Sequence, residues 1–100
     1  MDYILWIDEH KDEIVKSVQD IVRIKSVEED AVTLENGEIL PFGKGVHEAY
    51  QDLLSLGNEM GFETANFDNY GGHIDFKAEE PRALTFAIAA HLDVVPEGKG

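Results

Sequence analysis

His91 and Asp93 stand two residues apart in AHLDVVPEGKG, directly after the uncharged run LTFAIAA. Side chains alternate faces along a strand, so an extended His-x-Asp sends imidazole and carboxylate to one side while Leu92 turns to the other. A neutral imidazole is a common metal ligand, and a ligating imidazole usually has its second ring nitrogen fixed by a carboxylate or carbonyl. His91 is therefore a candidate metal ligand and Asp93 the residue that would orient it. On that spacing alone the pair reads more readily as a satisfied histidine at a strand end and a turn carboxylate before Pro96. The surrounding residues change the balance.

Other groups that could do chemistry weigh less. His73 and Asp75 repeat the His-x-Asp spacing in HIDFKA, but that stretch alternates polar and apolar residues as a half-exposed strand does, and reads as scaffold. His10 and His47 lie in helical stretches beside acidic neighbours and read as surface residues. The run Glu28, Glu29, Asp30 lacks the glycine-turned geometry of a calcium loop and reads as a solvated loop. PFGKG and PEGKG lack the GxxxxGK[ST] pattern that cradles phosphates, which argues against nucleotide binding.

The elements that must position these groups follow from apolar spacing. Ile14, Val15, Val18, Ile21 and Val22 draw one stripe down a helix running roughly from Tyr3 to Ile24. AVTLENGEIL places Asn36-Gly37 between two short β-prone runs, a small hairpin at residues 31–40. Val46, Ala49, Tyr50, Leu53, Leu54 and Met60 mark a second amphipathic helix, with Gly61 as its C-terminal stop. Three strands should follow: FETANFD, HIDFKA after a turn at NYGG, and ALTFAIAAHLD. Leu84 through Ala90 carry no charge and one hydroxyl, so the third strand reads as covered on both faces. Two helices are thin cover for it, so either both faces are only partly clothed or the chain is the front part of a larger α/β domain.

Composition sets the outer limits. A chain of 100 residues has room for one small domain, and a hydrophobic fraction of 43% excludes wholesale disorder. With 21 acidic against 8 basic residues the formal charge is −13, which argues against nucleic acid or an anionic membrane as partner and favours cations. There is no cysteine, so any metal must be held by imidazole and carboxylate. The N-terminus has no signal-peptide pattern, and no apolar run is long enough to span a bilayer. The expected location is cytoplasmic.

AAHLDVVPEGKG resembles the signature of the zinc aminoacylase and dipeptidase family, which includes acetylornithine deacetylase, succinyl-diaminopimelate desuccinylase, bacterial carboxypeptidase G and the PepV-type dipeptidases. Upstream, PFGKGVHEAYQDLLSLGNEMGFETANFDNYGGHIDF is similar to the PepV-like Xaa-His dipeptidase branch in particular. IVRIKSV resembles the segment that ends the family's first helix. The likeness covers nearly the whole chain.

That resemblance implies the N-terminal part of a single metallopeptidase catalytic domain, α/β in class, with two amphipathic helices and a short sheet. It makes His91 a ligand of one of two zinc ions, with manganese or cobalt as alternatives, and Asp93 the residue that orients it. In the family a metal-bridging water, activated by a glutamate, attacks the amide carbon of a small peptide. The bridging carboxylate, the paired glutamates and the remaining ligands all follow the His-x-Asp motif in the family, and none falls within these residues. The isolated chain is therefore expected to be inactive, with the rest of the catalytic domain or a self-association partner completing it. The alternative is a non-catalytic binding or assembly module that associates with another chain through its sheet edge.

Overall fold

A computed structural model describes residues 2–98. Helix α1 spans Tyr3–Val22, and Asp2 caps it by accepting a hydrogen bond from the Leu5 amide at 3.0 Å. Its apolar stripe is largely open: Ile14, Val15, Val18 and Val22 are exposed and only Ile21 is half-buried. Instead, Ser17 and Asp20 face Asp52, Ser55, Leu56 and Glu59 of the second helix around a small cavity of about 220 Å³. An amphipathic helix turns its apolar face inward only where another layer can receive it, and the described residues supply none.

A short hairpin follows, with β1 (Val32–Thr33) antiparallel to β2 (Ile39–Leu40). Asn36 and Gly37 lie in its turn; Gly37 has φ +88°, and Asn36 Oδ1 accepts from the Glu38 amide at 2.9 Å. Left-handed backbone and an amide that bonds its own turn are the properties for which Asn-Gly is selected.

Helix α2 spans Lys44–Glu59 and carries most of the core: Val46, Ala49 and Tyr50 are buried, together with Leu40 of β2. PFGKG has a packing role at its start. A Cβ at Gly45 would collide with the Lys25 carbonyl oxygen, so only glycine lets the helix meet the chain leaving α1 this closely. At the other end Phe62 N–H donates to Gly57 O and Gly61 N–H to Asn58 O, both at 3.0 Å, with Gly61 at φ +88°. This is the Schellman stop expected of Gly61. Met60, read as part of the stripe, lies beyond the last turn and is exposed.

β3 (Glu63–Phe67) and β4 (Gly71–Asp75) pair antiparallel, with Glu63 opposite Asp75 and Phe67 opposite Gly71. The turn centres on Asp68 and Asn69, both at positive φ, rather than on NYGG. Asn and Asp tolerate that conformation best among non-glycine residues, which lets FDNY form the bend. α2 lies on this hairpin: Gly57 sits over Ile74, and Tyr50 over Gly72. Tyr50 donates to Asn66 Oδ1 at 2.8 Å, Asn66 donates to Asn69 Oδ1, and Asn69 donates to Glu38 Oε1 and the Ile39 carbonyl. One polar chain thus ties α2 and both hairpins together.

The third expected strand is not formed. Residues 83–93 pair with no other strand, and Leu84, Phe86 and Ile88 are more than four-fifths exposed. The segment is tied only at its end, where Val94 N–H donates to Ser26 O at 3.0 Å and Val27 bridges Val94 in parallel. A central strand gains its stability from neighbours on both edges and cover on both faces, and here it has neither. The short sheet expected from the sequence is therefore two separate two-stranded sheets.

Candidate functional site

His91 and Asp93 fold back on each other without a strand to hold them. His91 Nδ1 lies 2.8 Å from the Asp93 carbonyl oxygen and 3.1 Å from Asp93 Oδ1. A carbonyl oxygen can only accept, so Nδ1 carries the proton and Nε2 presents its lone pair outward. That tautomer is the one a ligating imidazole uses when a carboxylate or carbonyl fixes its other nitrogen. Both side chains are well exposed, His91 at 81% and Asp93 at 49%. Water therefore competes for every bond in the pair.

His73 and Asp75 make the same arrangement on β4, with Nδ1 2.8 Å from Oδ1 and both side chains half-exposed. Alternation along β4 puts the two on one side, the geometry expected of any extended His-x-Asp. Both pairs line an open groove of about 1220 Å³ bounded by α2, β4 and residues 84–93. His47, read from the sequence as a surface residue, also lines it, and its Nδ1 is buried without a hydrogen-bond partner. Its position one residue after Val46 on the apolar side of α2 is the signal that could have placed it there. His10 is at the surface, stacked on Trp6 with ring centroids 4.0 Å apart.

Among the described residues no group of three or more His, Asp or Glu side chains comes together to hold a metal. A catalytic zinc takes three protein ligands and an open position, so these donors do not fit a complete centre. Glu28 lines the groove as well, yet among the described residues no third donor gathers about either His-x-Asp pair. Two titratable groups lining the groove are shifted by their surroundings: burial raises the Tyr50 phenol above its usual range, and the hydrogen bond to Glu63 raises the exposed Lys77 ammonium above its own. Among the described residues no helix is long and apolar enough to cross a membrane.

Relatives of this chain are known. It is 41% identical over 91 residues to the beta-Ala-Xaa dipeptidase of Lactobacillus delbrueckii subsp. lactis, an alignment covering 90% of this chain and 18% of that protein. A Bacillus subtilis (strain 168) protein named as dipeptidase YtjP is 34% identical over 90 residues, again 90% of this chain and 18% of the relative. A protein named as a dipeptidase in Staphylococcus saprophyticus is 31% identical over 100 residues, 96% of this chain and 20% of its own length. The chain is thus related to dipeptidases along nearly all of its length, and spans about a fifth of the curated relatives it matches. No protein-family model and no solved structure matches it.

Proposed function

We propose that this chain forms the amino-terminal portion of the catalytic domain of a zinc-type dipeptidase of the PepV-like branch. The observation that carries the reading is the 41% identity to a dipeptidase across 91 of its residues. The His91–Asp93 geometry supports the finer assignment. Nδ1 is held by Asp93, Nε2 is free, and the pair stands at the end of an apolar run that asks for a sheet around it.

In this reading His91 supplies one imidazole to a metal centre and Asp93 fixes its tautomer. The other ligands and the general base come from a further polypeptide segment. Bound metal would polarise the scissile amide of a small peptide with a free amino end. This chain's own residues hold one ligand in register, and by themselves they hydrolyse nothing.

The test is complementation. The chain is co-expressed with a polypeptide equivalent to the remaining four-fifths or so of the Lactobacillus relative, and hydrolysis of a β-alanyl dipeptide is assayed with zinc or manganese. The chain alone should be inactive, the pair active, and the pair carrying His91→Ala inactive while still assembling. Activity of the pair that survives His91→Ala would remove the ligand role. Failure of the folded pair to hydrolyse any dipeptide would remove the dipeptidase reading.

A further inference from the structure

We propose that Ser26 is a positioning residue for His91: its carbonyl oxygen fixes the Asp93–Val94 peptide, and that peptide sets which ring nitrogen of His91 carries the proton. The geometry stands on its own contacts, and its consequence for catalysis rests on the dipeptidase reading.

One peptide group makes both bonds. Its carbonyl, Asp93 O, lies 2.8 Å from His91 Nδ1 and accepts the ring proton, a shorter contact than the 3.1 Å to Asp93 Oδ1. Its amide, Val94 N–H, donates to Ser26 O at 3.0 Å, and Val27 bridges Val94 in parallel. No described peptide bond is cis, so in this planar unit the N–H and C=O point opposite ways. Aiming the N–H at Ser26 therefore aims the carbonyl at the ring on the other side. Two bonds in series through one amide also polarise each other. The Asp93 side chain alone is a weaker hold, since it is half-exposed and exchanges its bond with water.

Ser26 is seated by packing that owes nothing to the exposed run before His91. Among the described residues it is the buried polar one, at 5% exposed. Three residues on, Glu29 N–H donates to Phe42 O at 3.0 Å, which binds the same segment to the approach of α2. Gly45 completes the seat. A Cβ there would collide with the Lys25 carbonyl oxygen and stand 3.7 Å from Ser26 Cα, so a side chain would push residues 25 and 26 away from α2. A line of contacts thus runs from Gly45 through Lys25 and Ser26 to the Asp93–Val94 peptide and the imidazole. His73 is the contrast within the same chain: its Nδ1 meets Asp75 Oδ1 at 2.8 Å on β4, a pair in which Ser26 has no part.

The test joins the chain, in one polypeptide, to a segment equivalent to the rest of the Lactobacillus relative. Histidines are labelled with ¹⁵N, metal is removed with a chelator, and imidazole shifts are read at pH 8, with His91→Gln and His73→Gln assigning the signals. Val94→Pro deletes the donor to Ser26 and leaves α2 untouched, whereas Val94→Ala keeps the donor. Gly45→Ala unseats Ser26, and Ala49→Gly weakens α2 away from the line of contacts. The unaltered protein, Val94→Ala and Ala49→Gly should show the Nδ1–H form of His91. Val94→Pro and Gly45→Ala should move His91 toward the solution mixture while His73 stays, and with zinc restored should lose about tenfold or more in kcat. An unmoved His91 ring in Val94→Pro, an equal movement in Val94→Ala or Ala49→Gly, or an unmoved ring in a folded Gly45→Ala would each overturn the proposal. Val94→Pro decides alone where Gly45→Ala fails to fold. The ring shifts are read whether or not the protein hydrolyses a dipeptide, so failure here is distinct from failure of the dipeptidase reading.

Discussion

Asp93 meets His91 with two oxygens, the carbonyl and Oδ1, and both hold the proton on Nδ1. In water a free neutral imidazole is mainly protonated on Nε2, so the tautomer is a signature of the contact. Long-range ¹H–¹⁵N correlation of the imidazoles at pH 8 should show the Nδ1–H form for His91, and Asp93→Ala should move the ring toward the solution mixture. The same variant should weaken zinc binding of the complemented protein by about 10-fold or more. Gly57 poses a packing question of another kind. A Cβ there would stand 2.9 Å from Ile74 Cδ1 and 3.0 Å from Cγ2, so Gly57→Ala should displace the Ile74 side chain, a cost offset by about 1 kcal/mol of helix propensity, and stability by urea titration should change by less than about 1 kcal/mol. The His-x-Asp spacing made both histidine pairs legible in the sequence, because alternation along extended backbone is local. For His47 the sequence held only the place beside Val46 on the apolar side of α2; that its Nδ1 is buried depends on how α2 lies against the rest of the chain.

Helices and turns were the most readable elements, since their signals sit within a few residues of one another. The Asp2 cap is an example: Asp2→Ala removes the bond to the Leu5 amide and should lower helix content, with a cost near 1 kcal/mol. The junction of α2 with β3 and β4 responds to pH through Tyr50. Burial favours its neutral form, so its pKa in the folded chain lies above the unfolded value of 10.0. Folding then holds a proton that the unfolded chain releases, and stability present below pH 10 is lost as pH rises through the folded pKa. Tyr50→Phe should flatten this alkaline decline, and urea midpoints at pH 9 and above would show it. The bond to Asn66 is lost in the same variant, so its midpoint at pH 7 should fall. The third strand is the element that sequence pattern misplaced. An apolar run states a demand for neighbours, and the neighbours decide whether a strand forms.

Across the whole molecule, the radius of gyration is 16.4 Å, against about 13 Å for a compact domain of this length. Buried hydrophobic residues are confined to Leu40, Val46, Ala49 and Tyr50 among the described residues. Unfolding should therefore expose less new surface than usual. The urea m-value of the chain should be about 0.7 of that of a compact domain of equal size. A full-sized m-value would mean that the chain closes on itself in solution. What the sequence determined by itself is local: two amphipathic helices, the Asn-Gly turn, the glycine stop after α2, and a His-x-Asp pair able to meet through one ring nitrogen. These follow from periodicities and caps that span a handful of residues. Only the tertiary structure decided that the stripe of α1 lies open, that the FDNY turn bends at Asp68 and Asn69, and that residues 83–93 stand without a sheet. Burial of an apolar face and pairing of a strand edge depend on what lies opposite, and that is a property of the assembled surface.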